Sequence, residues 1–501
     1  MSGGQMTSLA DQLPALQVAL PLAGAALCAL IDRRYVCWAI STLVSFAMPV
    51  IAVSLLLQVL HGGPVSYAFG GWEPPYGIEY RIDVVNGFLL VLISVMGAII
   101  MPYARASVAA EIPENKQAWF YCMYQLCLAG LLGMAITGDA FNAFVFMEVS
   151  SLSMYVLIAM GSDRRALVAA YQYLILGTIG ATMYVIGVGL LFAMTGTLNF
   201  VDMAERIVAV EQTRSVMAAL AFITVGMCLK LALFPLHVWL PNAYTGAPSV
   251  ATAFIASTAT KVAVYLLLRY YFSIYGAKFV FGDLPVTPIL LVLSLAAMFA
   301  ASTVAIFQDN VKRMLAYSSV AQIGYITLGI ALATPIGLTG GIVHLFNHAL
   351  MKGALFLALG CVALRIGNCR IDTMAGIGRR MPLTMGAFVV AGLSLIGVPG
   401  TVGFVSKWYL ALASIENGWW WLAFLIVASS LLAVVYIGRV IEIAWFRAPT
   451  GATAEATEAP LSMLIPTWLL AAACIAFGLD AELTAGVAAR AADALFAGLV
   501  Q

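Results

Sequence analysis

Charge is what this sequence lacks. Only 9% of its 501 residues are charged, against 63% hydrophobic, where a soluble domain carries about 25% charged residues. So few charges cannot cover a surface that faces water, which excludes a soluble globular protein and leaves a polytopic membrane protein. The net charge of +1 offers no basic face to a phosphate backbone, so nucleic acid is excluded as a partner. Eight cysteines (Cys28, Cys37, Cys122, Cys127, Cys228, Cys361, Cys369 and Cys474) are scattered with no CxxC pair. They read as small core residues, forming neither a disulfide frame nor a metal site. Nothing resembles a Gly-rich dinucleotide fingerprint, so no redox cofactor is expected. No basic residue precedes the first apolar run, Pro14 to Ile31, so that run reads as an uncleaved first span and not as a secretory signal.

What is present is a series of apolar runs. A helix needs about 20 residues to cross a bilayer. Fourteen runs qualify, starting near residues 14, 36, 86, 119, 140, 167, 216, 247, 287, 314, 337, 383, 419 and 461. The fold class expected is all-α and polytopic, with about 14 transmembrane helices joined by short loops. The loops after spans 1, 3, 5, 9, 11 and 13 carry Arg33, Arg34, Arg105, Lys116, Arg164, Arg165, Lys312, Arg313, Arg365, Arg370, Arg379, Arg380, Arg439 and Arg447. The other side carries Arg81, Arg206, Arg214, Arg269, Lys278 and Arg490. The positive-inside rule assigns the first group to the cytoplasm, so both termini are expected outside a bacterial cytoplasmic (inner) membrane.

Four lysines fall inside spans: Lys230, Lys261, Lys352 and Lys407. Each costs roughly 2.5–3.5 kcal/mol to insert at mid-span. Snorkelling to an interface could account for Lys407, but Lys230 and Lys261 have apolar turns on both sides. One carboxylate, Glu148 in "FNAFVFMEVSSLSMYVLIAM", lies deep in a span. A buried acid and base stabilise each other's charged forms, so Glu148 needs a lysine partner, either Lys230 or Lys261. In span 11, "GGIVHLFNHALMKGALFLALG", His344, His348 and Lys352 stand at i, i+4 and i+8 and share a helix face over about 12 Å. Histidine titrates near neutral pH, so this face can pass protons. With no HExxH and no third ligand nearby, it does not read as a metal site.

Pro235 in span 7 and Pro399, followed by Gly400, in span 12 break the backbone ladder within the membrane. Such breaks are tolerated where the freed groups are buried in protein or line a wet cavity. Each lies within eight residues of an intramembrane lysine. The two spans are five apart and therefore run in opposite directions, which points to an inverted repeat of spans 4–8 and 9–13. The organisation expected is 1–118 for spans 1–3, 119–272 for a first five-helix repeat, 273–445 for a second, and 446–501 for the last span and a tail.

Four segments carry a family resemblance: "GMCLKLALFPLHVWLPNAYTGAPSVATAFIASTATKVAVYLLLR" (226–269), "QDNVKRMLAYSSVAQIGYITLGI" (308–330), "HLFNHALMKGALFL" (344–357) and "SLIGVPGTVGFVSKWYL" (394–410). They resemble the antiporter-like, proton-translocating membrane subunits shared by Mrp-type cation/proton antiporters, complex I and membrane-bound hydrogenases. "FGGWEPPYGIEYRID" (69–83) is similar to the opening of Mrp-type D subunits. The resemblance implies that Glu148, Lys230, Lys261, His344, His348, Lys352 and Lys407 form a proton path. Much of the family has a second proline where this chain has Gly400.

The function expected is a proton-translocating subunit of a multisubunit Na⁺(K⁺)/H⁺ antiporter, a transporter part and not an enzyme. Large A-type and small membrane subunits would be its partners. Two other readings stand beside it: a proton-pumping subunit of a complex I-like or hydrogenase-type redox complex, and a proton-flux subunit of an ion-driven uptake complex.

Overall fold

The computed structural model describes residues 9–498; the termini expected to face outward, 1–8 and 499–501, lie outside the described residues. Among the described residues thirteen helices are long and apolar enough to cross a membrane, fourteen if the bent pair 372–380 and 382–396 counts as one span. The chain opens with a hairpin of α1 (Leu13–Ile31) and α2 (Arg34–Gly62). Two short antiparallel strands follow, β1 (Val65–Ala68) and β2 (Glu79–Ile82). Then come α3 (Val84–Glu111), α4 (Gln117–Ile136), α5 (Ala140–Ala159), α6 (Arg164–Thr195) and the short α7 (Phe200–Ile207). Side chains that accept backbone N–H bonds start several of these helices: Asp83 for α3, Asp139 for α5, Asp163 for α6 and Asn199 for α7. Each satisfies donors that the first turn leaves free.

Span 7 is broken where Pro235 falls. α8 (Arg214–Leu231) stops at Ala232, which takes a φ of +60°, and α9 (Trp239–Gly246) resumes the path. The Trp239 indole donates to Leu229 O at 2.9 Å, beside the longer bond of 3.3 Å from Ala232 N, and so ties α9 to the end of α8. α10 (Ser249–Leu268) runs on into a π-helical turn, Arg269–Ile274. A second such turn, Phe279–Asp283, follows; α11 (Val286–Ala296) and α12 (Ser302–Ile306) are joined by a third and lead to α13 (Val311–Ala331) and the 32-residue α14 (Pro335–Ile366).

After the small α15 (Ile377–Arg380) comes the second break. α16 (Pro382–Ile396) ends at Gly397, and α17 (Val402–Glu416) begins five residues later. Gly397 and Gly400 have φ of +94° and +85°. That region is open to glycine and closed to proline, whose ring holds φ near −65°. The break therefore uses glycine geometry where much of the family has a second proline. α18 (Trp420–Phe446), α19 (Ala452–Glu455), α20 (Leu461–Leu479) and α21 (Glu482–Ala497) complete the chain. The segment expected as a tail is thus largely helical, and α21 packs on α14 and α3.

The helices divide into a centre and a rim. In α10 and α13, 94% of the span is buried, and in α14 and α4, 83%; in α2 and α18 it is 33%. α13 has the lowest mean hydropathy of the spans, 1.3, against 2.3 for the rim helices α2 and α18. Small residues permit the close approach of backbones: a Cβ at Gly226 of α8 would lie 2.6 Å from Gly180 O of α6, and one at Gly329 of α13 would lie 2.7 Å from Gly337 O of α14. All eight cysteines are buried and free.

The basic loops share one face. Arg313 donates to Asn242, Arg439 pairs with Asp309, and Arg379 donates to Trp445 O. Two residues counted as loop charges are buried. Lys312 is buried and directs its ammonium at Ala247 O, 3.4 Å away. Arg269 is buried at the other end of the molecule. It pairs with Asp83 at 2.5 Å, because the π-helical turn carries it inward against the cap of α3.

Candidate functional site

The first cluster is assembled by close packing around α5. A Cβ at Gly130 of α4 would lie 2.5 Å from Ser150 N, so only glycine lets α4 approach α5 here. Lys230, in the last turn of α8, reaches across to α5. Its ammonium donates to Ser151 Oγ at 2.7 Å and stands 3.9 Å from Glu148 Oε1. The lysine that partners Glu148 is thus Lys230 and not Lys261. Glu148 Oε1 is buried and has no hydrogen-bond partner. A cavity of about 20 Å³ adjoins Lys230, Ser150 and Ser151, room for about one water molecule. The pair is an ion pair without a hydrogen bond, and Ser151 holds the ammonium while the carboxylate acts at a distance.

Lys261 lies on α10, fully buried, and its ammonium donates to Ala256 O of its own helix. α14 packs alongside and brings the span-11 residues to it. Lys261 stands within Coulomb reach of His348, Lys352 and His344. The two imidazoles lie parallel, 6.4 Å between centroids and 2° between planes. They differ in how they are held. His344 Nε2 is 2.9 Å from Gln322 Oε1, and its Nδ1 is 2.8 Å from Ser406 Oγ. Neither ring nitrogen of the buried His348 has a partner. Lys352 donates to Leu315 O at 2.8 Å and to Ser318 Oγ.

At the far end, Lys407 of α17 turns back to the end of α16. It donates to Leu395 O at 3.0 Å and Ile396 O at 2.8 Å, and lies over the Tyr325 ring, 4.9 Å from its centroid. These are last-turn carbonyls that no helical N–H can reach, at the negative end of the α16 dipole. The two breaks thus hold their lysines differently: Lys230 faces a carboxylate, and Lys407 faces a helix terminus. Asn347, between the two histidines, donates to Val402 O at 2.6 Å and fixes α17 on α14.

The seven candidate side chains therefore form two groups: Glu148 pairs with Lys230 at the first break, and Lys261, His348, His344 and Lys352 gather with Lys407 towards the second. Helix α8, which carries Lys230, packs on α10, which carries Lys261. Among the described residues no carboxylate acts on Lys261, Lys352 or Lys407. In a medium of low dielectric, charge on one member of the second group raises the cost of charge on its neighbours. The polar residues that sequence reading missed are Ser151, Ser318, Gln322, Tyr325 and Ser406. Serine and tyrosine in an apolar span read equally well as packing; Gln322, an amide in the apolar run of α13, was the one signal that pointed to a buried polar contact.

A family model described as "NADH:quinone oxidoreductase/Mrp antiporter, TM" matches residues 137–433. The chain belongs to this family. An N-type NADH-quinone oxidoreductase subunit of Desulforudis audaxviator is 43% identical, covering 94% of this chain and 96% of that protein. A D-type Na⁺/H⁺ antiporter subunit of Alkalihalophilus pseudofirmus is 29% identical over 87% of both chains. Among solved structures, a chain of the Mrp complex from Dietzia sp. DQ12-45-1b superposes with a TM-score of 0.89 at 26% identity, covering 99% of this chain and 100% of that one. The likeness to Mrp-type D subunits expected from the motifs holds, and the redox-complex branch stands beside it. The relatives are subunits of multisubunit membrane complexes.

Proposed function

We propose that this chain is the proton-translocating subunit of a multisubunit Na⁺(K⁺)/H⁺ antiporter in a bacterial cytoplasmic membrane, with its basic face in the cytoplasm. The observation that carries the reading is the set of buried titratable side chains at two helix breaks, with Lys230 beside Glu148 at one and Lys407 near the Lys261–His348–His344 group at the other. Protons reach Lys230 at the first break. Glu148 sets how readily Lys230 holds them, and the proton passes through Lys261, His348 and His344 to Lys407. Lys352, bonded to Leu315 O and Ser318, biases the second group by its charge. Opposed breaks suit the inverted-repeat organisation, 119–272 against 273–445, with one half open to each side. The exchanged cation is assigned to the partner subunits, because a single deep carboxylate beside four lysines makes a poor site for Na⁺.

One observation favours the second reading. The relative at 43% identity carries the name of a NADH-quinone oxidoreductase subunit, which supports a proton-pumping role powered by electron transfer elsewhere. Inverted vesicles that hold the assembled complex in an antiporter-deficient host separate the two. Proton movement on addition of Na⁺ or K⁺ is the antiporter outcome. Movement only with an electron donor and a quinone would transfer the chain to the redox reading.

A further inference from the structure

A cleft of about 650 Å³ opens on the basic face, with Gln172, Asn242, Thr245, Lys312 and Arg313 in its walls. Asn242 Nδ2 donates to Gln172 Oε1 at 2.7 Å, tying α9 to α6. Next to them Tyr173 of α6 and Trp239 of α9 stack flat, 3.9 Å between centroids and 8° between planes. Tyr173 also lines the small cavity at Lys230. The stack therefore stands between the cleft and the first lysine of the proposed path.

Tyr155 meets Tyr173 edge-on, with centroids 4.7 Å apart. Its hydroxyl is buried and has no aligned hydrogen-bond partner. The hydroxyls of Ser151 and Thr178 are near enough to act on it, but neither meets hydrogen-bond geometry. Gly177 of α6 makes the room, since a Cβ there would overlap the Tyr155 Oη. A buried hydroxyl without a partner is disfavoured, and a glycine set opposite it keeps it free. Glu148, Ser151 and Tyr155 lie at i, i+3 and i+7 on one face of α5, and Ser151 already accepts from Lys230.

We propose that Tyr155 is a further relay residue, whose hydroxyl carries protons between the basic-face cleft and the Ser151–Lys230 pair. A hydroxyl can accept one proton on its oxygen as it releases its own. One O–H bond breaks as another forms, and the ring is neutral before and after. The proposal rests on Lys230 as a proton carrier and names the group that feeds it.

The test compares Tyr155→Phe, Gly177→Ala, the double variant and Lys230→Ala in the assembled complex, by the initial rate of proton flux in inverted vesicles at matched protein level. Tyr155→Phe keeps the ring contacts and removes only an unbonded oxygen, so a packing role predicts flux at the wild-type rate. The relay predicts a loss of about tenfold, equivalent to about 1.4 kcal/mol of barrier. Gly177→Ala, which fills the slot of the hydroxyl, should give a similar loss, and the double variant no more. Tyr155→His, which can also carry a proton, should recover part of the rate. Full flux in Tyr155→Phe with none in Lys230→Ala overturns the relay and leaves the path standing; full flux in Lys230→Ala overturns the path itself. If Tyr155→Phe assembles poorly, Gly177→Ala decides, and wild-type flux there rejects the proposal.

Discussion

The Lys230 ammonium and the Glu148 carboxylate stand 3.9 Å apart, and the ammonium gives its hydrogen bond to Ser151. At about this separation two unit charges interact by about 4 kcal/mol at an effective dielectric constant of 20. The pair is close enough to govern where a proton rests and loose enough to part. Glu148→Gln removes that interaction and keeps the shape. Proton flux should fall by at least about tenfold, with normal assembly. Glu148→Asp withdraws the carboxylate by about one methylene and should fall less. Equal rates and equal pH profiles for wild type and Glu148→Gln would rule out the pair as the control point.

On the proposed path Lys407 has two tasks, proton exit and closure of α16, and substitutions can separate them. Lys407→Ala leaves the Leu395 and Ile396 carbonyls without their donor, at about 1–3 kcal/mol for a buried group left unsatisfied. It should lose both flux and thermal stability. Lys407→Gln keeps a donor but cannot carry a proton, so stability should largely return and flux should not. Glutamate can also titrate in a hydrated break and so tests whether any ionisable group suffices here. The carbonyls here would repel a carboxylate, so Lys407→Glu should assemble less well than Lys407→Gln. Melting curves of purified protein beside vesicle flux decide the matter, and full activity of Lys407→Ala would move the exit to another chain of the complex.

The two histidines should respond unequally. His344 bonds to Gln322 and Ser406, so His344→Ala removes two ties between helices. It should cost about 1 kcal/mol of stability per bond as well as flux. His348 has no such ties. His348→Ala should leave stability nearly unchanged and give an intermediate loss of flux, since water can bridge a missing relay member. A larger stability loss for His348→Ala than for His344→Ala would contradict the geometry.

The fourteen spans were legible because apolar length is a one-dimensional signal, and both breaks because proline cannot complete a helical ladder. The set of titratable residues was legible because lysine in lipid is costly wherever it occurs. The partner of Glu148 was not, since Lys230 and Lys261 satisfy the same sequence argument and only the approach of α8 to α5 distinguishes them. The short strands β1 and β2 went unseen because four-residue strands around "GGWEPPYG" read as loop. Lys312 and Arg269 read as loop charges because each falls at the end of an apolar run. Burial at such positions depends on which helix crosses above them.

The Asp83–Arg269 pair yields a prediction independent of transport. Asp83 Oδ1 accepts from Val85 N at 2.9 Å and Asn86 N at 3.2 Å, so the residue caps α3 while its carboxylate holds Arg269. Arg269 is also bound to Tyr265 Oη at 3.0 Å. Breaking a buried pair from one side leaves an uncompensated charge and costs about 3–5 kcal/mol. Arg269→Met should therefore reduce the amount of assembled protein sharply. Asp83→Asn in the same chain removes the stranded charge and keeps a good capping residue, since asparagine caps about as well as aspartate. The double variant should regain most of the stability lost by Arg269→Met and should transport protons at near the wild-type rate, because the pair lies away from the proposed path. Thermal unfolding of the two variants, with vesicle flux for the double, is the measurement. Recovered stability without recovered flux would mean that this pair belongs to the path and is not a brace between α3 and α10.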